Sequence, residues 1–216
     1  MAQLFPRWAN TAVRVALVAV GTLLVGVPLG ALAFVRTPAA TGQYASMRQP
    51  VAFSHPLHVN GLRIDCRYCH AGAERASMAG LPPTSACVPC HDARWLGSSL
   101  FAPVRQSLAT RRPIPWRRVN ALPDFVFFNH AVHVRKGVAC ETCHGRVDLM
   151  QEVYQAAPLT MGWCLDCHRE PERFLRPVEQ VTAMNWKPNG SQRAIGEALA
   201  ARYRVRRLTT CTACHR

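Results

Sequence analysis

The chain has 216 residues, with ten cysteines, nine histidines and a formal charge of +14 from 26 Lys+Arg against 12 Asp+Glu. A surplus of that size invites a nucleic-acid role, but the cysteine boxes described below supply another use for it, and no nucleic-acid partner is expected. Once an N-terminal leader is set aside, residues 37–216 are too few to bury a large side-chain core around ten cysteines, so covalent or metal staples are expected.

Residues 1–14 contain Arg7 and Arg14 and read as a cytoplasmic N-terminus. Val15 to Val35 is a 21-residue run without a charge, long enough to cross a bilayer. Arg36 and Arg48 follow it, so arginine counts do not orient it. The rival reading is a cleaved signal peptide ending near Ala31-Leu32-Ala33; the length of the apolar run favours an anchor. Gly26 and Gly30 lie four apart, a small-xxx-small pattern for close helix packing, and Pro28 is placed to kink the helix. Residues 36–50 read as a polar linker.

A twofold repeat follows. Phe53 to Val59 and Phe128 to Val134 both read F-x-H-x-x-H-V. Each is followed by two Cys-x-x-Cys-His boxes: Cys66, Cys69, His70 and Cys87, Cys90, His91 after the first; Cys140, Cys143, His144 and Cys164, Cys167, His168 after the second. The repeat divides the chain into modules at 51–97 and 126–170. Between them, 98–125 is rich in proline and arginine. It is either a solvated linker or an ordered strap that binds propionates or a neighbouring subunit; Ile114, Trp116 and Phe125 give it apolar anchors. The remainder, 171–216, opens irregularly. Ser191 is placed to cap a helix from Gln192 to about Tyr203, with Ile195 and Leu199 on one face. A fifth box, Cys211, Cys214, His215, stands near the end.

The five boxes consume every cysteine. A lone Cys-x-x-Cys reads as a redox disulfide or half a zinc site, but neither chemistry asks for a histidine after each second cysteine. Covalent haem c does: two thiols add to the haem vinyl groups and the adjacent histidine is the proximal iron ligand. Five covalently attached haem c groups are therefore expected, with little regular structure around them. Their propionates and ferric irons would lower the net charge to roughly +9. Haem attachment takes place on the outer face of an energy-transducing membrane, which puts the haem domain outside and the first residues inside.

Five histidines, His70, His91, His144, His168 and His215, are proximal. The other four, His55, His58, His130 and His133, all lie in the two F-x-H-x-x-H segments and are the distal candidates. Four haems can thus be bis-histidine, and the fifth needs methionine or an open position. Of Met47, Met78, Met150, Met161 and Met184, Met184 is preferred because it lies between the fourth and fifth boxes and outside both modules; Met161 is second.

The segments FSHPLHVNGLRIDCRYCH, PIPWRRVNALPDFVFFNHAVHVRKGVACETCHGRVD and LTMGWCLDCHREPE resemble the pentahaem cytochrome c subunit of bacterial alternative complex III, from about residue 50 to 187. The dihaem modules are also similar to c3/c7 class cytochromes. The resemblance implies a mostly irregular and α-helical multihaem cytochrome: two repeated dihaem modules, a terminal fifth haem and one N-terminal transmembrane helix in the inner membrane. It implies a non-enzymatic subunit that passes electrons from quinol oxidation to a periplasmic acceptor or oxidase. Its implied partners are an iron–sulfur subunit, integral membrane quinol-oxidising subunits and a further cytochrome c. It also implies that the first histidine of each pair serves the next haem and the second the one after: His55 with His70, His58 with His91, His130 with His144, His133 with His168. A swap between modules is the rival. The functional alternatives are a small reductase acting at an open fifth haem and a free-standing electron-storage cytochrome.

Overall fold

The computed structural model describes residues 4–91 and 96–215. Residues 1–3, at the head of the expected N-terminus, and 92–95, near the end of the expected 51–97 module, lie outside the described residues. The chain divides into two compact units, residues 1–42 and 43–216.

The first unit is essentially one helix, Ala9–Phe34. It begins before the apolar run because Ala9 to Arg14 contains neither glycine nor proline to stop it. Its 26 residues span about 39 Å at 1.5 Å per residue, enough to cross a membrane by length and composition, with a mean hydropathy of 2.3 and none of it buried. Thr22 donates its hydroxyl to the Val18 carbonyl at 2.8 Å, which satisfies it within the helix. Pro28 lies inside the helix. A short turn, Pro38–Thr41, closes on Gly42 at φ +70°.

Among its described residues the second unit has no β-strand, only four isolated bridges. Two of these start it: Gln43 pairs with Gln155 and Ser46 with Tyr154. Residues 43–47 are therefore held rather than loose, with Gln43 Nε2 donating to the Ala156 carbonyl at 2.6 Å and the Tyr44 and Tyr154 rings edge to face at 6.0 Å. The side-chain core is small and centred on Leu175, Val181, Ala139 and Val104, each at most 2% exposed. Residues 137–140 and 175–181 run against one another. Arg176 N–H donates to the Gly137 carbonyl, Cys140 N–H donates to the Val181 carbonyl, and Val138 bridges Leu175. Gly137, at φ +83°, permits this approach: a Cβ there would sit 2.4 Å from the Arg176 carbonyl oxygen.

The segment between the repeats is ordered. Helix Ala102–Thr110 buries Val104 and Ser107, and Ile114 is 7% exposed. Ser107 Oγ meets Thr84 Oγ1 at 2.6 Å, on the turn that leads into the second box. Further on, the Gln49 side chain brackets the Arg117 backbone, accepting its N–H at 2.9 Å and donating to its carbonyl at 3.0 Å.

The C-terminal helix runs Gln192–Arg202, and the Ser191 side chain accepts from Ala194 N–H as its cap. It crosses the turn Pro171–Arg173 at very close range. Gln192 Nε2 donates to the carbonyls of Glu172 and Leu175 at 3.2 and 2.8 Å, and the buried Glu172 carboxylate meets Arg207 at 3.1 Å. The crossing depends on Gly196: a Cβ there would fall 1.8 Å from the Glu172 carbonyl oxygen. Gly196→Ala is therefore expected to push the helix off its seat at a cost of about 1–3 kcal/mol or more. Limited proteolysis of the haem-loaded protein should then cut after residue 190, in the tail that carries Cys211 and Cys214. Wild-type protease resistance would contradict this packing account.

Candidate haem-binding site

The box spacing follows from helix geometry. Residues at i, i+3 and i+4 share one helix face, so a single turn turns both cysteines and the histidine to the same side. Cys66–Cys69, Cys140–His144 and Cys211–Cys214 are such turns, and Cys164 to His168 lies within Met161–Arg169. The turn is closed by the histidine N–H donating to the first cysteine's carbonyl, as in His70 to Cys66 at 2.8 Å, His91 to Cys87 at 3.0 Å and His215 to Cys211 at 2.9 Å. Asp65 caps the first box by accepting from Arg67 N–H, and Thr160 caps the fourth by accepting from Trp163 N–H. All ten cysteines are free of disulfides.

The two F-x-H-x-x-H segments share an arrangement although their backbones differ. Pro56–Gly61 is a π-helical turn, whereas His130–Arg135 is α-helical with Asn129 as its cap. In both, the phenylalanine meets the first histidine edge-on and stacks on the second. Phe53 lies 4.8 Å from His55 at 81° and 4.2 Å from His58 at 26°; Phe128 lies 4.8 Å from His130 at 85° and 4.5 Å from His133 at 27°. In both, Nδ1–H of the second histidine donates at 2.8 Å to the carbonyl four residues back, His58 to Ser54 and His133 to Asn129. The phenylalanine is thus a clamp for two imidazoles, a role that the repeated letter in the sequence does not disclose.

The distal candidates face box histidines. Ring centres are 6.1 Å apart for His58 and His91, 6.2 Å for His130 and His144, and 6.0 Å for His133 and His168. Two imidazoles binding one metal from opposite sides, each at about 2.0–2.1 Å through nitrogen, hold their ring centres roughly 6 Å apart. His55, lowered mainly by burial, also feels His70 and then His58. Beyond the second histidines of the pairs, Nδ1–H of His70 donates to the Gly80 carbonyl at 2.8 Å, of His130 to Ser77 at 3.2 Å and of His215 to Phe125 at 3.3 Å. These contacts fix the tautomer and leave Nε2 as the ligating nitrogen. Burial, the main cause, holds His55 and His144 down at about 4 and lowers His133, so that the neutral, ligating form prevails. The residues present fit haem in spacing, tautomer and facing geometry.

The thiols show how the boxes follow one another in space. Cys69, raised mainly by burial, also feels Cys87, linking boxes one and two. Cys66 and Cys140 hydrogen-bond through their side chains, joining box one to box three, and the contact pushes the Cys140 thiol up. Cys143, pushed up to about 12 by burial, has Cys167 and Cys164 beside it. Cys164, raised mainly by burial, has Cys214 beside it. These pairings connect the boxes in the order second, first, third, fourth, fifth. Further hydrogen bonds reinforce the middle and the end of this series. His130 and Ala131 N–H donate to the Ser77 and Ala76 carbonyls, Thr182 Oγ1 donates to Asp65 at 3.0 Å, and Phe127 N–H donates to the Cys214 carbonyl at 2.6 Å.

The methionine candidates part company. Residues 181–185, which include Met184, are tied to box three by Cys140 N–H on the Val181 carbonyl and Asn185 N–H on Glu141 Oε2 at 2.7 Å. None of the described contacts brings Met184 to the fifth box. Met161 opens the helix whose Cys164 neighbours Cys214, and it is 68% exposed. Sequence reasoning also passed over Glu141 inside box three. Its Oε1 accepts from Arg176 Nη2 at 2.6 Å, while the Arg176 guanidinium lies 5.1 Å over the Trp186 ring and also donates to the Ala183 carbonyl.

Histidine-bearing turns faced by further imidazoles, as at His91, His144 and His168, are the arrangement that multihaem c-type cytochromes use. Residues 126–216 match the family described as cytochrome c7 and related cytochrome c. The chain is also 38% identical over 103 residues to the multihaem cytochrome c subunit of a menaquinone reductase from Nitratidesulfovibrio vulgaris, a stretch that is 47% of this chain and 48% of that protein. The chain thus aligns with about half the length of this curated relative.

Proposed function

We propose that this protein is a membrane-anchored pentahaem subunit that relays electrons between a quinol-oxidising membrane module, through iron–sulfur centres of a partner subunit, and a periplasmic acceptor or oxidase, in an assembly like alternative complex III. The observation that carries this reading is the unbranched series of boxes, with the second and fifth at its ends. A series with two free ends suits a conductor between partners better than an enzyme around one substrate. Helix Ala9–Phe34 serves as the anchor, with the haem domain on the periplasmic side. The distal ligands are His55, His58, His130 and His133 for the first four haems in order of attachment. For the fifth, methionine is retained, with Met161 ahead of Met184 because Cys164 of its helix feels Cys214. The exposed arginines of 98–125, such as Arg111 and Arg118, suit propionates or an acidic partner surface.

A second direction of flow is favoured by one finding: the relative belongs to a menaquinone reductase. The assembly would then deliver electrons to a quinone. Purification in mild detergent followed by two mixing experiments separates the readings. On the first, partner subunits copurify and a quinol reduces the haems of the oxidised assembly faster than a quinone oxidises the reduced one. The opposite ratio supports the quinone-reducing direction. A protein that purifies alone and reacts with neither is a storage cytochrome. Carbon monoxide binding at one haem in five would mark an open iron and support a reductase.

A further inference from the structure

The Nδ1 atoms of His58, His70, His130, His133 and His215 all meet backbone carbonyl oxygens. His144 of box three meets a side chain instead. Asn120, in the segment that connects the two repeats, has Nδ2 placed 3.1 Å from His144 Nδ1, while its Oδ1 is buried without a partner in the polypeptide. A neutral imidazole that ligates through Nε2 carries its proton on Nδ1, so the atom facing it must be an acceptor. The amide nitrogen and oxygen are interchangeable by rotation about one bond. The chemistry selects the orientation in which Oδ1 accepts from His144 Nδ1–H. The NH2 group then becomes the buried atom without a partner. A buried donor of this kind calls for an acceptor from outside the polypeptide, and the propionates that haem carries are acceptors of that class.

We propose that Asn120 is a positioning residue for the third haem: its side-chain carbonyl fixes the tautomer and ring orientation of His144 and sets the basicity of that ligand. This rests on the reading of His144 as an iron ligand. Acceptance of the Nδ1 proton gives an imidazole partial imidazolate character, which favours ferric over ferrous iron. The connecting segment is suited to the task because it is anchored on both sides of Asn120. Gln49 grips the Arg117 backbone before it, and Phe125 receives His215 after it. The acceptor is the only one of the six contacts that a point substitution can remove, since the other five are backbone atoms.

The experiment is a spectroscopic redox titration of the full-length, haem-loaded protein in detergent, with haem content measured alongside. In Asn120→Leu, which keeps the branching and heavy-atom count and has no acceptor, one of the midpoint potentials should rise. An outer-shell loss worth about tenfold in the reduction equilibrium reads as about 59 mV for one electron. In Asn120→Asp, a stronger acceptor, the same potential should fall below that of the wild type. Opposite shifts confined to one haem support the inference, because a purely structural role would not invert its sign with acceptor strength. Shifts of the same sign, or none, overturn it. If the leucine variant does not accumulate, the aspartate variant decides alone: an unmoved potential overturns the inference. A wild-type protein without haem on box three would instead overturn the underlying ligand assignment, independently of Asn120.

Discussion

Replacing both cysteines of the third box, Cys140→Ala with Cys143→Ala, is expected to cost the protein far more than one haem. This box lies at the middle of the series and is tied in four directions. The Cys140 thiol meets Cys66, Cys140 N–H donates to Val181, Glu141 receives Arg176 and Asn185 N–H, and His144 stands against Asn120. A haem lost here leaves a void between the two halves where a side-chain core is already thin. The fifth box lies at one end and is held by the 125–127 segment and by Cys164. Cys211→Ala with Cys214→Ala should therefore accumulate with four haems and an otherwise ordinary melt, whereas the box-three variant should fall several-fold in abundance. Intact mass and haem per polypeptide measure both. The unmodified protein should carry five haems and no alkylatable thiol. Accumulation of the box-three variant with four haems and an unchanged melt would show that the centre of the fold does not depend on it.

The second large effect is expected at Arg176. The Arg176 and Glu141 side chains are 10% and 15% exposed and 2.6 Å apart. Removal of one partner from such a pair leaves the other charge buried, at a cost of about 3–5 kcal/mol. Arg176→Met should lower the denaturation midpoint of the haem-loaded protein by that order, while haem content is unchanged because attachment is covalent. The double variant Arg176→Met with Glu141→Gln should recover much of the loss, since glutamine still offers the Asn185 N–H an acceptor. A strictly additive double variant would mean that the two groups do not act as a pair.

The parts of this molecule that were legible in the sequence are those where chemistry fixes spacing. Two thiols and a histidine must lie on one face of a turn, so all five boxes could be read letter by letter, and so could the pairs His55/His58 and His130/His133. The helix after Ser191 was legible because cap and periodicity agree. The contacts that hold these pieces together were not. Asn120 and His144 are 24 residues apart, Glu141 and Arg176 are 35 apart, and Gln43 and Ala156 are 113 apart. Each is a polar pair whose members look like ordinary surface residues until the chain brings them together. Met184 was preferred for its place between two boxes, but position along the chain said nothing of its pinning to box three. Gly196 gave no signal, because a glycine inside a helical pattern reads as a weakness rather than as the point of closest approach.

The long reach of these ties bears on how the protein is made. Asp65, beside the first box, is bonded to Thr182, and the fifth box closes on residue 125. The first half therefore has its full set of contacts only once almost the whole chain has emerged, and Cys140 and Cys143 are half-buried among other thiols in the finished fold. A chain shortened before residue 182 would leave the first box without its Thr182 contact and residue 125 without the fifth box, so late truncations should be felt at both ends of the haem-bearing unit.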